Sequence, residues 1–92
     1  MRLTFDPAKN ARNVATRDLP FELVAEIDWE TAVIVDDARK DYGERRRQVY
    51  GLIGCRLHVA IITHRDDAVH VISFRKANGR EVRWYGQRVE RL

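Results

Sequence analysis

The sequence has a single cysteine, Cys55, among its 92 residues. An intramolecular disulfide and a zinc cluster made of several cysteines are therefore excluded within one chain, and a reducing cytosol is the expected compartment. Long apolar segments are also missing: the longest aliphatic runs are four residues, at 32–35 and 59–62, whereas a membrane-spanning helix needs ~20. The N-terminus is charged almost at once, unlike a signal peptide. These absences predict a cytoplasmic protein with no membrane segment.

Several signatures of enzyme sites are missing as well. The sequence contains no GxxxxGK[ST] or GxGxxG phosphate loop, no HExxH motif, and no Cys/His pairing at metal-binding spacing. His58, His64 and His70 are six residues apart, but no clear set of carboxylates accompanies them. The sequence therefore predicts neither a metal site nor a cofactor.

The charges are unevenly divided along a chain short enough to form one domain, residues 1–92. The net charge is +3, yet residues 1–44 hold 6 Lys+Arg against 10 Asp+Glu, and residues 45–92 hold 11 against 4. A basic half attracts polyanions, of which nucleic acid is the commonest in the cytosol. The alternative is that the two halves neutralise each other within the fold.

The first third of the chain predicts a short strand followed by two helices. Residues 3–5 form a strand candidate, and Asp6 and Pro7 then provide an N-cap and a first helical residue. Alanines and Val14 recur at helical spacing to about residue 17. A second helix is expected over 19–28, with Phe21, Val24 and Ile27 on one face.

The remainder predicts a sheet and a terminal helix. Strands are expected over 31–35, 46–53, 56–64 and 69–75, with short links that favour an antiparallel meander over 46–75. Asn78 can cap a C-terminal helix with Glu81 at the third position. The expected fold class is α+β: a small antiparallel sheet packed by the N-terminal helices, with a C-terminal helix, in one layer of helices against one sheet.

Cations stand at the ends of the three meander strands. Residues 45–47 open the first strand, 64–65 close the second, and 75–76 close the third. In a meander the first two groups should meet at one end of the sheet and Arg75 should lie at the opposite end. A strongly twisted sheet or a different strand order would bring the groups closer together.

Ordinary structural roles compete with functional ones for each of these residues. Arginines at strand starts often protect a sheet edge, and Trp84 and Tyr85 on a terminal helix are often core anchors. Arg75 ends a strongly apolar strand, so its charge needs a partner. That partner is either Glu81 or a phosphate group.

The stretch ISFRKANGREVRWY, residues 72–85, resembles the C-terminal signature of the BrnT family of type II toxin–antitoxin toxins. The resemblance continues through DYGERRRQVYG and AIITHRDD, and at the front through FDPAKNARNVA and LPFELV. It implies a RelE-like ribonuclease that cleaves RNA without a metal, inhibits translation and arrests growth. It also implies a small ribbon-helix-helix antitoxin, through which alone operator DNA would be bound.

Site residues follow from the resemblance and from the chemistry of RNA cleavage. The motif positions imply a site at Arg46, Arg65 and Arg75, with Lys76, Glu81 and Tyr85 nearby; His64 is added because cleavage needs a base. Arg75 and Arg46 would hold the scissile phosphate, and His64 or Glu81 would act as base. Tyr85 or Lys76 would assist the leaving group, or Tyr85 would stack on a base. Glu81 could instead orient Arg75. The other expected RNA contacts are Arg45, Arg47, Arg80 and Arg83.

One departure from the family and one rival function accompany this interpretation. The family often has Lys-His-Gly between its first two helices, whereas this chain has Thr16-Arg17-Asp18. Any role of that Lys or His would pass to Arg17 or be lost.

The rival is a binding module of the same fold, which would bind nucleic acid or a partner without catalysis.

Overall fold

The computed structural model describes residues 1–89. Strand β1 (Leu3–Phe5) leads into helix α1 (Pro7–Arg17), whose start is fixed by a hydrogen bond of 2.9 Å from the Ala8 N–H to the Asp6 carboxylate. The second helix expected over 19–28 is instead a 3-10 helix, Phe21–Glu26. Its apolar residues are spaced by three, which is the repeat of a 3-10 helix.

Five strands form one sheet. After β1 come β2 (Val33–Asp36), β3 (Arg47–Ile53), β4 (Arg56–Arg65) and β5 (Ala68–Lys76), and the sheet order is β1-β5-β4-β3-β2. The predicted antiparallel meander of β3, β4 and β5 is confirmed. The sheet as a whole is mixed, because β1 pairs with β5 in parallel. A parallel pair needs a long crossover, and here most of the chain separates the two strands.

Helices cover both faces of the sheet rather than the single face expected. On one face, α1 and the 3-10 helix pack over a core that includes Val49, Ala60 and Phe74. On the other, helix α2 (Gly79–Val89) packs through Tyr85 against Leu57 and a smaller apolar cluster. Within residues 1–89, no helix is long and apolar enough to cross a membrane.

Helix α2 covers only part of its face. It lies over the apolar side chains near the β3–β4 turn, and side chains beyond it stay partly exposed. Because side chains alternate along a strand, this uncovered area, the open face, consists of outward positions of the three meander strands. They include Arg46, just before β3, with Gln48 and with Tyr50, whose ring borders Trp84 of α2; Ile61 and Arg65 of β4; and Ser73 and Arg75 of β5.

Candidate functional site

The strand register separates the predicted site residues between two ends of the sheet. Arg47 pairs with Ile62 near the end of β4, whereas Arg75 pairs with Val59. Arg65 lies six residues beyond Val59 in β4, or roughly 20 Å along the strand. The expectation that Arg75 lies away from the other arginines is therefore confirmed, and the predicted residues do not form one tight cluster.

Arg75 is held by a fixed carboxylate at the start of α2. Its NH1 and NH2 groups donate to the two oxygens of Glu81, both at 2.8 Å. Glu81 also accepts from the Asn78 N–H, and Asn78 Oδ1 accepts from the Glu81 N–H, each at 2.9 Å. This is the predicted capping box. The residues that begin the helix therefore also set the position of the Arg75 guanidinium.

The Arg75–Glu81 pair stays ionised and partly accessible. The side chains of Arg75 and Glu81 are 39% and 17% exposed. The hydrogen bonds from Arg75 lower the pKa of Glu81 below its ordinary value of 4.5, although burial acts in the opposite direction. Glu81 occupies only the NH1/NH2 edge of the guanidinium, and no described residue accepts from Nε. One edge of Arg75 is therefore open to a second anion.

Two cavities meet at Arg75. One, of about 310 Å³, is lined by Arg17, Leu19 and Lys76 together with Arg75. The other, of about 240 Å³, lies on the open face between Arg75, Glu81 and Ser73 on one side and Arg39, Gln48 and Tyr50 on the other. Other cations thus line both cavities at Arg75, which makes this region attractive to an anion.

Arg17 is brought to the first cavity by a buried amide. Asn13 on α1 donates to the carbonyls of Leu19 and Phe74, at 2.8 and 3.0 Å, and so ties the helix to β5. Its Oδ1 accepts from Arg17 NH1 at 2.9 Å. Arg17, the middle residue of the Thr16–Asp18 stretch that departs from the family pattern, therefore lies next to Arg75 and Lys76.

At the other end of the open face, acidic side chains pair with the arginines. Glu44 accepts from Arg46 at 3.2 Å and from Arg65 at 3.1 Å, and these hydrogen bonds lower its pKa. The Arg46 guanidinium also lies 4.1 Å from the ring centroid of Tyr42. Arg46 and Arg65 thus share the Glu44 carboxylate, whereas Arg75 is the one arginine that pairs with Glu81 among the described residues.

Three other predicted residues lie on the face covered by α1. Strand alternation places Arg45, Arg47 and His64 on the side of Val49 and Ile62, away from the open face. Arg45 and Arg47 pair with Asp36, at 3.2 and 3.8 Å. The structure therefore brings His64 near Arg45 and Arg47 but does not bring it to Arg75.

The predicted residues of α2 divide into a buried one and exposed ones. Tyr85 packs in the smaller core, and its hydroxyl donates to the Thr31 carbonyl at 2.8 Å. Arg80 and Arg83 are exposed and make no ion pair with an acidic residue within residues 1–89. The geometry gives Tyr85 a structural contact, whereas Arg80 and Arg83 stay accessible.

The histidines have separate surroundings. His58 is buried against Phe74, and burial lowers its pKa. His70 contacts the Thr4 hydroxyl at 2.8 Å, and burial lowers its pKa too. Within the described residues, no group of three or more His, Cys, Asp or Glu side chains could hold a metal ion.

Sequence reasoning missed four residues that line the open-face cavity together with Arg75: Arg39, Gln48, Tyr50 and Ser73. Gln48, Tyr50 and Ser73 occupy alternate strand positions, so the period-2 pattern could have placed them beside Arg75 once the register was known. Arg39 lies in the loop after β2, where no periodic pattern exists. Only its proximity to Asp37 in the sequence was a signal.

Comparison with known proteins identifies the family. A family model described as "Ribonuclease toxin, BrnT, of type II toxin-antitoxin system" matches residues 5–81, which is most of the chain. No curated protein matches significantly. The match includes α1, every strand from β2 to β5, Arg75 and Glu81. The chain therefore belongs to the BrnT family of ribonuclease toxins of type II toxin–antitoxin systems.

Proposed function

We propose that this protein cleaves RNA without a metal ion at the Arg75 end of the open face, and that this cleavage inhibits translation and growth. The proposal rests on one observation above all: Glu81 fixes Arg75 through NH1 and NH2, while the Arg75 side chain lines two cavities that other cations also line. Arginine can bind two phosphate oxygens together through one edge. A RelE-like fold is part of the same proposal.

RNA supplies its own nucleophile, which is why the protein needs only to move protons and stabilise charge. The 2′-oxygen bonds to phosphorus while the bond from phosphorus to the 5′-oxygen breaks. The products are a 2′,3′-cyclic phosphate and a 5′-hydroxyl. A base must take the 2′-hydroxyl proton, an acid must protonate the leaving oxygen, and cations must stabilise the charge that develops on the phosphoryl oxygens.

Glu81 is the base in this proposal. Its Oε1 already accepts from Arg75 and Asn78, whereas Oε2 accepts only from Arg75, so one acceptor position on Oε2 stays available. Asp37, the other carboxylate near this cavity, has a fully buried side chain and accepts three hydrogen bonds. Glu81 is therefore better suited to accept a proton from substrate.

Lys76 and Arg17 support the leaving side of the reaction. Both line the cavity next to Arg75, where Lys76 can protonate or neutralise the 5′-oxygen and Arg17 can bind a phosphoryl oxygen. Tyr85, the other residue predicted to assist the leaving group, has its hydroxyl bonded to Thr31. We assign Arg46 and Arg65 to a more distant part of the RNA strand.

The direct test is incubation of the purified protein with a labelled RNA in EDTA. We expect cleavage by the wild-type protein, cyclic-phosphate ends, and loss of cleavage in Arg75→Ala. Arg12→Ala, which removes an exposed arginine of α1, is the matched control. Cleavage that needs added Mg²⁺ would refute the metal-free mechanism. Intact RNA in either buffer, with salt-sensitive binding, would favour the non-catalytic binding module.

Growth measurements test the consequence in cells. Induction of the wild-type protein should stop growth and protein synthesis, and induction of Arg75→Ala to the same protein level should not. Equal arrest by both proteins would place the toxic activity elsewhere.

A toxin of a type II system implies an antitoxin partner. We propose that this antitoxin is a small ribbon-helix-helix protein encoded beside the toxin, and that operator DNA is bound only through it. Co-expression should restore growth, and purified toxin alone should not shift operator DNA, whereas the complex should. A shift by the toxin alone would contradict this division of roles.

A further inference from the structure

The loop between β2 and β3 holds an ordered arginine beside the proposed site. The Asp37 carboxylate, whose side chain is 0% exposed, accepts from Arg39 Nε at 2.7 Å and from Arg39 NH2 at 2.8 Å. The Asp37 backbone N–H bonds to the Arg46 carbonyl at 2.9 Å. A buried carboxylate needs such a partner, so Asp37 and Arg39 fix each other in a segment that otherwise has no regular structure.

Two strand residues extend this pair into a network. Gln48 Nε2 donates to Asp37 Oδ1 at 3.3 Å, and the Tyr50 hydroxyl donates to Gln48 Oε1 at 2.9 Å. The hydrogen bonds from Arg39 hold the pKa of Asp37 at about 2, so the carboxylate is ionised at neutral pH. Arg39 is therefore anchored to the floor of the open face.

Arg39 itself faces outward. Its side chain is 65% exposed, although its Nε and NH2 groups are bound to a buried carboxylate. It lines the open-face cavity together with Arg75 and Ser73. In the same loop, the Tyr42 ring contacts the Arg46 guanidinium at the opposite end of the open face. Arg39 thus lies between the two ends of the open face.

We propose that Arg39 binds the phosphate next to the scissile one on the same RNA strand, and that Asp37 is its positioning residue. This inference rests on the proposed function, because Arg75 defines where the scissile phosphate lies. Arg39, Arg75 and Arg46 then mark one path along the open face for a single RNA strand. Exposed surface arginines usually pay side-chain entropy on binding, whereas Arg39 is already held in place.

A binding experiment isolates this contact from catalysis. The probe is a labelled 2′-O-methyl hexanucleotide, which lacks the attacking hydroxyl, and its Kd is measured as salt is raised. Each phosphate contact contributes about 0.7 to the slope of log Kd against log salt for a single strand. Arg39→Gln should lower the slope by about that amount, and Arg12→Gln should not.

Two further variants separate a phosphate contact from a structural role. Arg39→Lys keeps the charge and should keep most of the slope. Asp37→Asn should weaken binding more than it changes the slope, because Arg39 keeps its charge but loses its position. Thermal unfolding of each variant verifies that it folds. An unchanged slope in folded Arg39→Gln would overturn the inference.

Substrate length distinguishes failure of this inference from failure of the proposed function. A dinucleotide carries only the scissile phosphate, and a trinucleotide adds a neighbour. The wild-type ratio of kcat/KM for the longer to the shorter substrate should exceed one, fall towards one in Arg39→Gln, and persist in Arg12→Gln. A persistent ratio in Arg39→Gln refutes the Arg39 contact alone. No cleavage of any RNA by the wild-type protein refutes the proposed function, and the binding slopes then decide the contact separately.

Discussion

The two ends of the open face carry the same residue type in different settings. At one end Glu81 serves Arg75 alone and is itself fixed by the helix capping box. At the other, Glu44 is shared by Arg46 and Arg65 and comes from the loop before β3. Of these arginines, only Arg75 is positioned by a carboxylate that also caps a helix, α2. Because its partner carboxylate is held by the helix cap, Arg75 is the arginine to which we assign the proposed catalysis.

The largest expected effect is a loss of RNA cleavage when Arg75 is replaced. Arg75→Ala removes the proposed phosphate clamp, and loss of one such donor lowers rates by about 10²–10³. The rate of RNA cleavage in EDTA measures this directly. Arg75→Lys should recover only part of the loss, because lysine keeps the charge but cannot bind two oxygens through a planar edge. Full activity in Arg75→Ala would place the reaction elsewhere.

If Glu81 is the base, the cleavage rate should depend on pH through the ionisation of Glu81. Its pKa is lowered below 4.5 by the Arg75 hydrogen bonds, so the base stays deprotonated above that pH, and activity should decline only as pH falls below it. Glu81→Gln should slow cleavage by about 10²-fold or more, the usual contribution of a general base. An acid limb near 6.5, the ordinary pKa of histidine, would instead indicate an imidazole base.

Replacement of Arg65, at the opposite end of the open face, should have a smaller effect, and on KM rather than on kcat. Arg65→Ala removes an arginine that we place on a distant part of the RNA strand, so KM should rise while kcat changes little. The rise should shrink at high salt, since screening weakens exposed ionic contacts. Steady-state kinetics at two salt concentrations test this. A fall in kcat equal to that of Arg75→Ala would remove the distinction between the ends.

Tyr85 provides the smallest expected effect. Tyr85→Phe deletes the hydroxyl that donates to the Thr31 carbonyl, and such a hydrogen bond contributes about 0.5–1.5 kcal/mol. The free energy of unfolding should fall by that amount, as urea denaturation can measure, while the cleavage rate stays the same. A large loss of cleavage in a protein of unchanged stability would restore Tyr85 as a reacting group.

Local signals predicted the elements on which the site depends. Asp6 and Pro7 marked the start of α1, and the short links marked the meander, because turns and caps act over a few residues. Asn78 and Glu81 were correctly read as a capping box. Long-range pairing was not predictable in this way: the parallel partner of β1 lies in β5, and α2 crosses to the second face.

The missed part of the candidate site has the same cause. Asp37 and Arg39 lie in a polar loop that carries no periodic signal, and the burial of Asp37 depends on its contact with Gln48 across the sheet. The chemistry of His64 suits a base, but strand alternation turns its side chain away from Arg75. Residue type alone therefore does not separate His64, which lies away from Arg75, from Arg39, which lines a cavity with it.

The most direct measurement is the single-turnover cleavage rate of one labelled RNA in EDTA, at saturating protein, for Arg75→Ala and Arg65→Ala beside the wild type. We expect Arg75→Ala to be slower by about a hundredfold or more and Arg65→Ala to approach the wild-type rate, because saturation removes a defect in binding. Equal losses in the two variants, or a greater loss in Arg65→Ala, would contradict the assignment of catalysis to the Arg75 end.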